Sequence, residues 1–148
     1  MSADGSIVFF RRAGTGLPRV ELQAFARGLV EHVSGGRLFE CLITDDRELQ
    51  RLNRDFLGHD YPTDVLSFPS GTQGGFAGEM AISSQRAAEQ ALEFGHTVAE
   101  EIKILMLHGL LHLVGMDHEK DRGAMARVEK RWRKHFSLPE SLTERVRG

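Results

Sequence analysis

The segment from Val98 to Val114 constrains the fold of this chain more than any other. Its apolar residues cover most faces of the helix that their spacing predicts, and Thr97 with Glu100 forms the pattern of a capping box at its start. The longest apolar stretch, Ile104 to Met116, contains two histidines and is too short to cross a bilayer. A helix that is apolar nearly all round must be enclosed by other elements, so we expect it to be central and buried.

The rest of the chain predicts a small sheet and further helices around this segment. Runs rich in β-branched and aromatic residues predict strands over 6–11, 37–43, 64–68 and 79–82. Apolar residues at helical spacing predict helices over about 18–34, 45–57, 84–94 and 122–135. Thr44 is the expected N-cap of the second of these helices, and Gly58 its end. The sequence therefore predicts one α+β domain over residues 1–148, with a small mixed four-stranded sheet and about five helices.

Charge and cysteine content exclude several classes of protein. The 148 residues carry 19 basic and 21 acidic side chains and a net charge of -2, which excludes a uniformly basic nucleic-acid binder but permits a local basic patch. The single cysteine, Cys41, cannot form an internal disulfide. The first residues show neither the basic start nor the apolar segment of a signal peptide. We expect a soluble cytoplasmic protein with no membrane partner.

Three histidines within one short segment indicate a metal site. His108 and His112 are four residues apart, so on a helix they share a face with Cβ atoms about 5–6 Å apart. Gly115 lets the chain leave the helix, and His118 can then fold back as a third nitrogen ligand. Three such ligands leave a coordination position for water, which is typical of catalytic zinc. The alternative, histidines that are close by chance, is disfavoured because burying adjacent imidazoles without a shared partner is costly.

The same segment matches the ligand spacing of the metzincin proteases, HExxHxxGxxH, with one departure. Gly109 stands where those proteases carry the glutamate that acts as general base. Without that carboxylate the protease interpretation is weak, whereas the metal site is retained.

The histidine segment resembles the H-G-x-L-H-L-x-G-x-D-H signature of the YbeY family, bacterial metal-dependent endoribonucleases of ribosomal RNA maturation. Residues 52–56 (LNRDF) and 60–69 (DYPTDVLSFP) look like that family's LN…D-x-PT-[DN]-VLSFP segment. Residues 78–82 (GEMAI) look like its G-[DE]-I-x-I strand. The similarity covers about residues 38–132, most of the chain.

This resemblance implies one zinc ion per chain, held by His108, His112 and His118, and no small-molecule cofactor. It also implies cleavage of single-stranded RNA, processing of the 3′ end of the small-subunit (16S) rRNA and a part in ribosome quality control. The expected partners are single-stranded rRNA and the small ribosomal subunit or its assembly factors. Asp117 is expected to orient a ligand imidazole from the second coordination shell, or to cap the turn after Gly115.

One position departs from the family pattern. Members usually carry an arginine directly after the aromatic residue that is Phe56 here, and this chain has Leu57. We expect Arg54, three residues earlier on the same helical face, to take over the stabilisation of transition-state charge, with His59 as the other nearby replacement. His108 and Arg54 are therefore the candidate catalytic residues.

Some further polar residues have two interpretations each. Asp64 and Ser67 either line the cleft or serve turns and the sheet edge, and Glu79 is a candidate carboxylate near the site if the family fold applies. The last predicted helix is strongly basic, which weakly supports RNA binding, and its Trp132 is expected to anchor the core.

Three functions remain open at this point. The leading one is a zinc-dependent endoribonuclease that acts on rRNA. The second is a metallopeptidase-like hydrolase, which Gly109 disfavours. The third is a non-catalytic ribosome-assembly binding factor whose metal is structural, which Leu57 keeps open.

Overall fold

Helix α4 (Val98–Leu113), which carries His108 and His112, is the central helix of the computed structural model. The structure describes residues 5–71, 74–116 and 123–139. The capping box predicted for this helix is present: the Thr97 side chain accepts from Glu100 N, and the Glu100 side chain accepts from Thr97 N. Its apolar residues are buried on most faces, as a central position requires.

The other elements surround α4 in the predicted order. They are β1 (Val8–Phe10), α1 (Arg19–His32), β2 (Leu38–Thr44), α2 (Asp46–Leu52), a π-helical turn (Asn53–Leu57), β3 (Val65–Pro69), β4 (Phe76–Ser83), α3 (Ser84–Phe94) and α5 (Ala124–His135). The α+β class, the four-stranded mixed sheet and the five α-helices that the sequence predicts are confirmed over the described ranges.

The sheet has the strand order β1-β2-β4-β3. The first three strands in that order are parallel, with Cys41 paired to Val8 and to Met80, whereas β3 runs antiparallel to β4 and forms one edge. Parallel neighbours need long connections, and α1 and the segment from α2 to β3 supply them.

The helices lie on both faces of the sheet. On one face, α1, α3 and α4 pack against Cys41, Met80 and Ile82 in the main core. On the other face, Leu49 and Leu52 of α2 pack against Leu66, Phe68 and Ala81. Because successive strand residues point to opposite faces, Ser67 of β3 projects to the α4 side while its neighbours Leu66 and Phe68 project to the α2 side.

The expected N-cap of α2 was wrong by one residue. Thr44 pairs with Ser83 as the last residue of β2, and its buried Oγ1 has no hydrogen-bond partner within the described part of the chain. Asp45 is the cap instead, and its side chain accepts from Glu48 N at 3.0 Å. The sheet holds Thr44 in the strand, so the next residue with a short polar side chain takes the cap.

Strand β4 is longer than the predicted 79–82 because it is paired on both sides, to β2 and to β3. Gly78 allows this double pairing. Its φ of 142° is unfavourable for L side chains, and a Cβ there would lie 2.9 Å from Leu113 Cδ2 and 3.0 Å from the Pro69 Cα.

Cys41 is buried, as a lone core cysteine should be, and this burial raises the pKa of its thiol. Of the helices in the described ranges, none combines the length and the apolar character that crossing a membrane requires.

Candidate metal centre

His108 and His112 point toward each other from one face of α4. Their Nε2 atoms lie 3.2 Å apart, and their rings meet edge to face with centroids 4.8 Å apart. Both side chains are partly exposed, His108 by 12%. The i, i+4 spacing of the sequence therefore brings two imidazole nitrogens to a common point at the surface of an otherwise buried helix.

The separation of the two nitrogens fits a shared metal ion. Two nitrogen ligands at about 2.0–2.1 Å from a tetrahedral zinc ion are about 3.3 Å apart. The predicted third ligand, His118, and its neighbour Asp117 lie outside the described residues. Among the residues that are described, no group of three or more His, Cys, Asp and Glu side chains is arranged to hold an ion.

A carboxylate that the sequence analysis did not single out contacts the first histidine. Nδ1 of His108 lies 2.6 Å from Glu129 Oε1 on α5, and Arg133 Nη2 donates to Glu129 Oε2, also at 2.6 Å. The one signal in the sequence is the i, i+4 spacing of Glu129 and Arg133 on the last predicted helix. Such a pair is common on solvated helices and does not by itself indicate a contact with α4.

Strands β3 and β4 pack against α4 at Gly109, the residue next to His108. Ser67 Oγ donates to the carbonyl oxygen of Gly109 at 3.2 Å. A Cβ at position 109 would lie 2.9 Å from Met80 Sδ and 3.2 Å from Ser67 Oγ. Gly109 therefore lets α4 approach β3 and β4 closely, and this contact explains the glycine at the position where a metzincin has glutamate.

The π-helical turn that holds Arg54 follows α2, on the sheet face opposite to α4. Phe56 contacts Phe68 edge to face at 5.6 Å, and Phe68 projects away from the histidines. The ion pairs of Arg54 are with Asp55 at 3.2 Å and Asp60 at 4.0 Å. The described contacts of this turn are therefore with β3 and with acidic neighbours, and the catalytic role of Arg54 stays a prediction.

Of the other candidate residues, one has a structural role in the fold and the others have no assigned role. Asp64 accepts from Val65 N and from Gln90 Nε2, which ties the start of β3 to α3. Leu57 is about half exposed at 48%, and His59 contacts Tyr61 with ring centroids 5.5 Å apart. Glu79 is exposed on β4. Of these residues, Asp64 thus has the turn function that the sequence left as one of its two interpretations.

Helix α5 presents a basic face away from Glu129. Lys130, Arg131 and Lys134 line a surface cavity of about 460 Å³ together with Ser137 and Leu138. On its inner side Met125 is buried, and Trp132 packs against the main core as expected. One helix thus carries an ion pair next to the histidines and a cationic surface.

Comparisons with known proteins place this chain in a family. The family model described as Endoribonuclease YbeY matches residues 20–137. A protein of Solibacter usitatus named Endoribonuclease YbeY is 58% identical over 99% of both chains. One of the same name from Koribacter versatilis is 51% identical over 72% of this chain and 70% of its own.

A solved structure has a similar fold. The solution structure of TM1509 from Thermotoga maritima has a TM-score of 0.58 and 27% identity, covering 93% of this chain and 99% of its own. Since the family model spans most of the sequence and a relative matches it from end to end, the chain with this histidine pair belongs to the endoribonuclease YbeY family.

Proposed function

We propose that this protein is a zinc-dependent endoribonuclease that cleaves single-stranded RNA, matures the 3′ end of the small-subunit rRNA and takes part in ribosome quality control. The observation that carries the proposal is the 3.2 Å approach of the His108 and His112 Nε2 atoms in a chain of this family. The names of the relatives support the nuclease activity. The donor set, neutral imidazole nitrogen, supports zinc.

The proposed metal centre uses the three histidines of the signature. His108, His112 and His118 would hold one zinc ion per chain, with Asp117 as a neighbour that orients a ligand ring. A zinc ion bound there supplies a Lewis acid that polarises a water or a phosphate oxygen. The histidines themselves contribute fixed positions, because α4 is packed against the sheet directly beneath them.

The remaining catalytic task is to offset the negative charge that develops on the phosphate during cleavage. Arg54 is our candidate for this task. Its turn contacts β3, because Phe56 touches Phe68, and β3 also contacts α4, because Ser67 next to Phe68 bonds to Gly109. The long guanidinium side chain of Arg54 is 53% exposed and can therefore contact a phosphate of bound RNA.

RNA binding beyond the metal needs cationic surface, because phosphate contacts dominate the affinity. The basic face of α5, formed by Lys130, Arg131 and Lys134, is such a surface, and α5 also carries the side chains that touch His108. We infer that single-stranded RNA follows this face to the histidines. The proposed setting is the cytoplasm, with the small ribosomal subunit or its assembly factors as partners, no small-molecule cofactor and residues 1–148 acting as one domain.

One observation favours a second candidate, a ribosome-assembly binding factor with a structural metal. Leu57 stands at the position where the family pattern has an arginine. It is an exposed apolar side chain, and its neighbour Phe56 is exposed as well. Such a pair suits contact with another macromolecule better than it suits phosphate. The experiment below separates the two candidates.

The experiment compares substrates and metal states in one preparation. Purified protein is incubated with single-stranded rRNA and with casein, before and after chelation, and again after zinc is restored. We expect RNA cleavage that stops on chelation and returns with zinc, while casein stays intact. Elemental analysis should give about one zinc per chain.

Two variants provide the controls. His112→Ala should lose both metal and RNA cleavage, whereas His32→Ala, a histidine exposed on α1, should retain both. Full zinc content in a His108→Ala/His112→Ala double variant would overturn the metal site. Binding of ribosomal subunits without cleavage of either substrate would establish the assembly factor, and casein hydrolysis that depends on His112 would establish the peptidase.

A further inference from the structure

The carboxylate of Glu129 lies between a ligand candidate and a guanidinium. Oε1 is 2.6 Å from His108 Nδ1, and Oε2 accepts from Arg133 Nη2 at 2.6 Å. The side chains of His108, Glu129 and Arg133 are only 12%, 13% and 9% exposed. Contacts this short between largely buried groups are held by packing rather than by chance encounter at a surface.

The carboxylate determines which ring nitrogen of His108 carries the proton. A carboxylate only accepts hydrogen bonds, and the guanidinium of Arg133 donates to its second oxygen. Nδ1 of His108 must then be the protonated nitrogen. Nε2 is left with its lone pair, and it faces the Nε2 atom of His112.

Arg133 fixes the position of the carboxylate in turn. It lies one helical turn after Glu129 on α5 and is itself buried, with its Nε without a hydrogen-bond partner in the part of the chain that the structure describes. Met125 anchors the start of the same helix in the core. The chain of contacts therefore runs from a helix fixed in the core, through two side chains, to one nitrogen of the histidine pair.

We propose that Glu129 is a positioning residue of the metal centre, which holds His108 in the Nδ1-protonated tautomer so that the lone pair of Nε2 is directed toward the point shared with His112, and that Arg133 holds Glu129 in place. This proposal rests on the proposed function only for the identity of the metal. The competing interpretation is that Glu129 and His108 merely join α5 to α4. A joining role predicts a change in stability alone, whereas a positioning role predicts a change in the tautomer and in zinc affinity.

The substitution Glu129→Gln separates the two interpretations. Arg133 only donates, so the glutamine carbonyl should turn toward it and present the amide NH₂ to His108 Nδ1. That contact favours the opposite tautomer, in which Nε2 carries the proton and lacks a lone pair. The shape of the side chain is retained, so packing between α4 and α5 is preserved.

Two measurements test this without reference to catalysis. Zinc affinity, from competition with a chromophoric chelator, should fall about 10–100-fold in Glu129→Gln. Side-chain ¹⁵N spectra of the zinc-free protein should show Nδ1–H at His108 in the wild type and a shift toward Nε2–H in the variant. Glu129→Asp, which keeps the carboxylate on a shorter arm, should recover part of the affinity, and Arg133→Met should weaken zinc binding less than Glu129→Gln does.

The matched control is Glu21→Gln, which removes another ion pair between a glutamate and α4, the pair of Glu21 with Lys103. It should leave both measurements unchanged. Wild-type zinc affinity together with an unchanged His108 tautomer in Glu129→Gln would overturn the proposal. If the wild type binds no zinc, the proposed function loses its metal while the ¹⁵N spectra still decide the role of Glu129; thermal melting confirms that each variant is folded.

Discussion

The hydroxyl of Ser67 on β3 donates to the carbonyl oxygen of Gly109, the residue that follows the first candidate ligand. The bond is made at a close approach of α4 to the sheet, since a Cβ on Gly109 would meet Met80 Sδ at 2.9 Å. The glycine next to His108 is therefore required by helix-on-sheet packing. Because the packing requires glycine at position 109, this chain lacks the glutamate that serves as general base in a metzincin protease.

The first prediction concerns Gly109→Glu, which restores the metzincin pattern HExxH. The new side chain has no space beside Met80 and Ser67 and brings a charge into a buried position, so unfolding free energy should fall by about 3 kcal/mol or more. Urea denaturation measures this loss. Leu92→Glu, which adds the same side chain at a position 86% exposed on α3, should change stability by less than about 0.5 kcal/mol. A folded Gly109→Glu protein that hydrolyses casein would contradict the packing argument.

The second prediction concerns Arg54 and Leu57. Removing one preorganised cationic donor typically lowers a rate by about 10²–10³, so Arg54→Ala should reduce cleavage of single-stranded RNA by that factor at unchanged zinc content. Leu57→Arg should then change the rate little, because the charge is already supplied. Arg47→Ala, an exposed arginine of α2, is the control and should cleave at the wild-type rate.

The opposite result for these two variants would contradict the role of Arg54. A large gain in Leu57→Arg with no loss in Arg54→Ala would show that the position of the family arginine is vacant in this chain. It would also show that the ion pairs of Arg54 with Asp55 and Asp60 are its only function.

The third prediction concerns the basic face of α5. Alanine at Lys130, Arg131 and Lys134 should weaken single-stranded RNA binding and make it less salt-dependent. The slope of log K against log salt should fall in magnitude by about 0.7 for each cation that contacts phosphate. The measurement uses His112→Ala as the background, so that RNA is bound without being cut. Loss of the exposed Arg27 and Arg47 instead should leave the slope nearly unchanged, and an unchanged slope in the α5 variant would exclude this face from the RNA path.

The fourth prediction is a pH dependence of stability at Glu48. Hydrogen bonding to Arg51, at 2.6 Å, lowers the pKa of this carboxyl, with further lowering by the charges of Arg51, Arg11 and Arg12 against an opposing effect of burial. The folded pKa is thus below the unfolded value of about 4.3. The stabilisation is complete above that value and is lost as the pH falls through the folded pKa.

Glu48→Gln should therefore be less stable than the wild type by about 1–3 kcal/mol at pH 7, the usual contribution of a hydrogen bond to a charged group. The difference should shrink steadily below about pH 4. Urea unfolding at a series of pH values measures it, with Glu93→Gln on the exposed part of α3 as the control. A difference that is the same at pH 3 and pH 7 would contradict the assignment.

The sequence predicts best where local signals and burial agree. For α4, the capping box, the apolar faces and the paired histidines all lie within one segment, and the structure has the helix within one residue of the prediction. The cap of α2 was missed because Thr44 and Asp45 are both good caps, and only the pairing of Thr44 with Ser83 excludes the first. The π-helical turn after α2 has no local signature that the sequence analysis could use.

Two features of the site depend on contacts between distant segments. Glu129 reaches His108 only because α5 packs against α4, 21 residues later in the chain. Leu57 stands at the position of the family arginine, and its turn contacts β3 through Phe56 and Phe68, which residue spacing cannot reveal. The close approach of the two imidazoles could thus be predicted from sequence, while the carboxylate that contacts one of them could not.

The burial of α4 also has a kinetic consequence. Its amide hydrogens can exchange with solvent only through an opening that disrupts the main core, so they should be among the slowest to exchange in the molecule. His108 and His112 are mounted on this slowly opening segment and already stand at the separation that a shared ion requires. If an ion binds at this pair, as proposed above, it would meet two ligands that need no rearrangement of their helix. The rate of uptake would then be set by encounter rather than by refolding.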